Sequence, residues 1–183
     1  MFDFDGAVLL PIDMQKAIDW PGRPRRGNPK LDENGLKLID LWRRMGLPII
    51  HVRHDSEEEG SLWHAGHPAN AMRPGFEWAM GERIVVKSVN SAFIGTDLDL
   101  KLRRMKAKKV VCFGWSTDMC VSTTVRTGAN MGWETVLVHD ACDCSDLPDP
   151  VNGGTIPAEE IHRIHVATLA AEFCEIVGMG DLV

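Results

Sequence analysis

No apolar run in this 183-residue chain approaches membrane-spanning length, which takes about 20 residues. The opening Met1-Phe2-Asp3-Phe4-Asp5 does not read as a signal peptide. A cytoplasmic protein with no membrane partner is therefore expected. Basic charge is also in short supply: 20 Lys and Arg stand against 26 Asp and Glu, a net charge of −6. That balance argues against nucleic acid as a partner. The one basic cluster, Arg23-Pro24-Arg25-Arg26, is broken by proline and reads as solvated loop. The five cysteines, Cys112, Cys120, Cys142, Cys144 and Cys174, include no Cys-x-x-Cys pair, so neither a thiol redox motif nor a structural zinc knuckle is spelled out. An odd count suits reduced thiols. Repeats, low-complexity tracts and linker-like stretches are missing too, so residues 1–183 read as a single domain.

What is present is an alternation of strands and helices. Ala7–Ile12 is a continuous apolar run, as in a strand buried on both faces. Leu31–Met45 has helical spacing, with Leu38, Ile39, Trp42 and Met45 on one side and Gly46 as a stop. Strands are predicted at Pro48–Val52, Arg83–Lys87, Val110–Phe113 and Thr135–Val138, and residues 54–81 as a long irregular segment. A helix follows Thr96, using Leu98, Leu102 and Met105. Another runs over Cys120–Met131 to Gly132, and a last one starts at Pro157 with Leu169, Phe173 and Ile176 on one face. Such β-α-β order implies an α/β fold, a doubly wound, mostly parallel sheet with helices on both faces.

Ligands of open parallel sheets bind beyond the carboxyl ends of the strands. Asp13, Lys87 and Cys120 all fall at such ends. A thiol at a helix start is favoured as thiolate by the helix dipole, and nearby N–H groups can hold an oxyanion. A carboxylate, a cation and a thiol are together a nucleophile set. Each also has a plain structural reading: Asp13 as a helix cap near Gln15, Lys87 as a solvated strand end, Cys120 as a small buried side chain. A phosphate-binding module is disfavoured, because Asp13-Met14-Gln15-Lys16-Ala17 lacks the glycines of a phosphate loop.

Ile12-Asp13-Met14-Gln15, Val86-Lys87 and Gly114-Trp115-Ser116-Thr117-Asp118-Met119-Cys120-Val121 resemble, in order, the three signatures of the isochorismatase-like cysteine hydrolases. His51-Val52-Arg53-His54-Asp55-Ser56 and Val89-Asn90-Ser91-Ala92-Phe93-Ile94-Gly95-Thr96 resemble a subgroup of that family. The resemblance runs from about Ala7 to Val177. It implies a six-stranded, three-layer sheet and a catalytic triad of Asp13, Lys87 and Cys120. It also implies a cis peptide before Ser116, with the backbone N–H groups of Ser116 and Cys120 forming an oxyanion hole. It implies a small-molecule amide, ureide or carbamoyl substrate, cleaved through a thioester, and a homodimer or homotetramer.

Departures narrow the choice. Nicotinamidases of this fold carry a metal on an Asp-x-His loop after strand two, where this chain has His54 and Ser56. His64-x-x-His67 and His162-x-x-His165 are the other candidate pairs, but the first lies in a loop and the second on a helix face. No metal and no cofactor are therefore expected. Ether-cleaving isochorismatases lack the nucleophilic cysteine that Cys120 supplies here. The readings kept as alternatives are an isochorismatase-type ether hydrolase, a nicotinamidase and a non-catalytic binding scaffold. Gln15, Trp20, His54, Phe93 and Trp115 are candidate substrate contacts, with Trp115 equally able to serve only as packing.

Overall fold

The computed structural model describes residues 2–183. The elements in chain order are β1 (Ala7–Ile12), α1 (Leu31–Met45), β2 (Ile50–His54), β3 (Arg83–Lys87), α2 (Leu98–Arg104), β4 (Lys109–Trp115) and α3 (Ser122–Asn130). They continue with β5 (Glu134–Asp143), the short β6 (Leu147–Pro148) and β7 (Thr155–Ile156), α4 (Ala158–Glu172), β8 (Glu175–Val177) and α5 (Met179–Leu182). Six strands form one parallel sheet in the order β3-β2-β1-β4-β5-β8. β6 and β7 make a separate antiparallel pair.

The order explains the layers. The crossover from β1 through α1 to β2 steps toward the β3 edge, whereas β4 through α3 to β5 steps toward the β8 edge. Right-handed crossovers in opposite directions put their helices on opposite faces. Every residue of β1 is consequently buried, which is why its sequence is apolar throughout rather than alternating. α1 ends on Gly46 in the left-handed conformation, whose N–H bonds the carbonyl of Arg43.

Several predicted boundaries moved, that of β4 among them, which runs over Lys109–Trp115 rather than Val110–Phe113. The second strand starts two residues later than its apolar core suggested and runs on to His54, which pairs with Lys87. Ladder pairing to β3, not apolarity, sets that end. β5 extends to Asp143, past an irregular register opposite Cys112 and Gly114. Ile176, predicted on the last helix face, belongs instead to β8, which pairs with β5. Leu169, Phe173 and Ile176 keep helical spacing, yet α4 stops at Glu172 because the Phe173 carbonyl turns to accept from the Thr135 hydroxyl at 2.7 Å.

Gly114 lies opposite Ile12, where β4 passes close against β1. It has φ 127°, and a Cβ there would lie 2.2 Å from the Ile12 carbonyl oxygen. Only glycine fits both the conformation and the space.

Candidate active site

Asp13 directly follows β1 and adopts the left-handed conformation, φ 52°. Its N–H bonds the Val52 carbonyl, and its own carbonyl accepts from Gln15 N–H. That tight turn, held between the ends of β1 and β2, aims the carboxylate across the sheet edge. The Lys87 ammonium meets Asp13 Oδ2 at 2.7 Å. Asp13 and Lys87 are 1% and 2% exposed, so neither is the helix cap or the solvated strand end that sequence alone allowed.

The same ammonium reaches His54 Nδ1 at 2.8 Å and Cys120 Sγ at 3.3 Å. An ammonium has three N–H donors, and here it has three acceptors. Cys120 Sγ also lies 3.8 Å from Asn90 Oδ1. Asp13 Oδ1 is buried and has no hydrogen-bond partner among the described residues. Around this centre lies a cleft of about 380 Å³, lined among others by Arg23, His54, Trp63, Asn90, Trp115, Ser116 and Cys120.

Cys120 sits in the first turn of its helix, as predicted: a turn of five-residue hydrogen-bond span, Thr117–Val121, runs without a break into α3 at Ser122. Ser116 carbonyl accepts from both Met119 and Val121 N–H and closes that turn. The peptide between Trp115 and Ser116 is cis, as the resemblance implied. The thiol is pushed up, not down: burial is the largest cause, the Asp13 carboxylate adds to it, and the Lys87 ammonium only partly opposes.

Of the other candidates, His54 and Trp115 line the cleft, but Gln15, Trp20 and Phe93 do not. Gln15 is wholly buried; its carboxamide donates to the carbonyls of His54 and Asn70 and accepts from His54 N–H. It fixes the backbone beneath His54. Trp20 packs edge-on against His67, with ring centroids 5.2 Å apart. Phe93 is buried beside α3, against Gly128. The sequence reading missed Asn90 as a neighbour of the thiol and Arg23 and Trp63 as lining. Asn90 stands three residues beyond Lys87, inside the Val89–Thr96 segment that carries part of the resemblance. A polar amide so soon after a strand-end lysine was the available signal.

Asp13, His54 and Cys120 offer donor atoms within 4.8 Å of one another, as in a metal site. The Lys87 ammonium already occupies their focus, at hydrogen-bond distance from all three. This donor set does not fit a divalent cation beside a fixed positive charge. His64 and His67 each spend Nδ1 on a backbone N–H two residues ahead, of Gly66 and Ala69. His162 Nδ1 pairs with the Thr117 hydroxyl at 2.9 Å.

A parallel α/β sheet with a thiol, a carboxylate and an ammonium gathered at its carboxyl edge is the architecture of a thiol-bearing hydrolase. The isochorismatase domain model matches residues 7–178. The uncharacterized isochorismatase family protein YrdC of Bacillus subtilis is 37% identical, over 96% of this chain and 94% of its own. A crystal structure of a putative hydrolase of the isochorismatase family from Chromobacterium violaceum superposes with a TM-score of 0.93 at 39% identity, covering 99% of this chain and 93% of that one. Nicotinamidase 3 of Arabidopsis thaliana is more distant, 25% identical over 96% of this chain and 86% of its own. The chain belongs to the isochorismatase family of hydrolases.

Proposed function

We propose that this chain hydrolyses a small amide, ureide or carbamoyl compound through a thioester on Cys120. One observation carries the reading: a single ammonium, Lys87, touches both Asp13 Oδ2 and Cys120 Sγ, while Asp13 Oδ1 is left buried and free to accept a proton. The name of the distant nicotinamidase points the same way.

The chemistry follows from the charges. A thiol whose proton is held tightly by burial attacks only as a base removes that proton. Asp13 takes it while Sγ bonds to the carbonyl carbon. The C=O electron pair moves to oxygen, held by the backbone N–H groups of Ser116 and Cys120. As the oxyanion collapses the C–N bond breaks, and Asp13 gives the proton to the departing nitrogen. Ammonia or an amine leaves. Water then adds to the thioester, Asp13 again accepting a proton, and the C–S bond breaks as that proton returns to sulfur. Lys87 keeps one unit of positive charge beside whichever of Asp13 and Cys120 is anionic.

The test is an ammonia-release screen over small amides, ureides and carbamoyl compounds, with wild type and Cys120→Ser in parallel. The substitution is near-isosteric, so the variant should fold as wild type does and show only background turnover. Wild-type turnover by Cys120→Ser removes the nucleophile assignment.

A further inference from the structure

His54 faces two ways. Nδ1 lies 2.8 Å from the Lys87 ammonium, and an ammonium can only donate. The other two Lys87 protons point to Asp13 and Cys120. Nδ1 must therefore accept, so it carries no proton, and the neutral ring holds its proton on Nε2. Protonating the ring would set two cations against each other; burial first, and then Lys87, hold His54 below the ordinary imidazole value, against the carboxylates of Asp13 and Asp55.

The rest of the ring is equally constrained. Gln15 grips the His54 backbone at both N–H and carbonyl, and Asn70 adds a second bond to that carbonyl. Trp63 packs edge-on to the ring, centroids 6.0 Å apart. The side chain lines the cleft, and among the described residues Nε2 has no hydrogen-bond partner and is not one of the buried orphaned atoms. A neutral N–H donor of fixed tautomer is thus presented to the cleft from a ring that has a nitrogen within 4.8 Å of the thiol sulfur.

We propose that His54 is a specificity-determining residue: its Nε2–H holds a carbonyl or carboxylate oxygen of the substrate, borne on the acyl side of the bond that Cys120 attacks. The proposal rests on Cys120 as the attacking group, and it narrows the substrate class to amides that carry a second hydrogen-bond acceptor close to the scissile carbonyl. Plain aliphatic amides lack that acceptor and leave Nε2–H without a partner, which a desolvated site penalises.

Two substitutions separate this role from mere support of Lys87. In His54→Asn the carboxamide oxygen can stand where Nδ1 stands and still accept from Lys87, but no donor remains at the Nε2 position. In His54→Gln the longer carboxamide brings N–H to the Nε2 position and gives up the Nδ1 acceptor. The probes are iodoacetamide, iodoacetate and iodoethane, which alkylate Cys120 and differ in carrying a carbonyl, a carboxylate or no acceptor. The readout is the rate of Cys120 alkylation by each acceptor-bearing reagent relative to iodoethane.

His54→Asn should lower that ratio by about threefold to tenfold, the range for one hydrogen bond, and His54→Gln should keep it near wild type. The reagent with the larger drop tells whether carbonyl or carboxylate is held. Nitrogen-15 NMR of the ring in the wild-type protein should show Nε2 protonated and Nδ1 bare. An Nδ1-protonated ring overturns the proposal, as does a ratio that falls in His54→Gln and not in His54→Asn, the pattern of a support for Lys87. Neither measurement requires turnover, so failure to find any hydrolysed amide would count against the proposed reaction and leave these readouts intact.

Discussion

Replacing Lys87 by Met tests how the buried charges depend on one another. Met has nearly the length of Lys and no charge, so packing changes little while the Asp13 carboxylate loses its ion pair. The Asp13 and Lys87 side chains are 1% and 0% exposed, so water does not take over. Breaking one side of a buried pair costs about 3–5 kcal/mol, a fifth or more of the stability of an ordinary domain. Asp13→Asn in the Lys87→Met background removes the stranded charge. The double variant is therefore expected to be no less stable than Lys87→Met alone, with a coupling energy of about 2–3 kcal/mol. Urea unfolding followed by the fluorescence of the six tryptophans measures all four corners of the cycle. A single-variant cost under about 1 kcal/mol, or additivity within about 0.5 kcal/mol, refutes the reasoning.

Gly114→Ala should destabilise the fold by about 3 kcal/mol or more, since the new methyl meets a backbone oxygen and the conformation is glycine's; denaturant midpoints read this. Hydrolysis, once a substrate is found, should survive exhaustive dialysis against EDTA and phenanthroline, because Lys87 fills the focus of the candidate donors; loss restored by zinc would contradict it. Stability should fall as pH drops below about 6.5, the ordinary imidazole value. Burial holds His51, His54 and His162 below that value in the folded chain, so the unfolded chain binds protons the folded one refuses. Glu82 acts in the same direction at lower pH: burial alone would raise it, but Arg43, the Ala79 N–H and His51 outweigh burial and hold it at about 2. Its contribution is present above the usual carboxylate range and is lost as pH falls toward 2. Thermal melts from pH 8 to 4 check the sign.

Much of this was legible in the residues. β1 and β3 match the runs that predicted them; in β1 burial on both faces leaves no periodicity to misread, and β3 keeps its short β-branched run between Arg83 and Lys87. Asp13, Lys87 and Cys120 came together as strand-end positions and the resemblance required. The parts not legible depend on distant partners. Ile176 kept helical spacing and became a strand only because β5 offers an edge. Gln15 looked like a substrate contact, but its amide is consumed by the backbones of His54 and Asn70, which lie 39 and 55 residues away. The thiol's reluctance to ionise was hidden too, since spacing gives the helix start but not the depth of burial or the facing carboxylate.

The position of β1 at the middle of the sheet has a consequence for how the chain comes into being. Ala7 to Ile12 pair on one side with β4, from Lys109 to Gly114. Synthesis delivers β1 first, and β2 and β3 can join it early. Its other edge stays bare until β4 emerges, an apolar strand with unpaired backbone groups of the kind that recruits other chains. Asp13 and Lys87 can meet in that half-built sheet, whereas Cys120 arrives only with the turn after β4. Closing that long-range parallel pairing is expected to be the slow step, and the contact between Lys87 and the Cys120 sulfur forms with it. The thiol environment is therefore a built-in marker of completed folding: until β4 docks against β1, Cys120 titrates as an ordinary exposed cysteine.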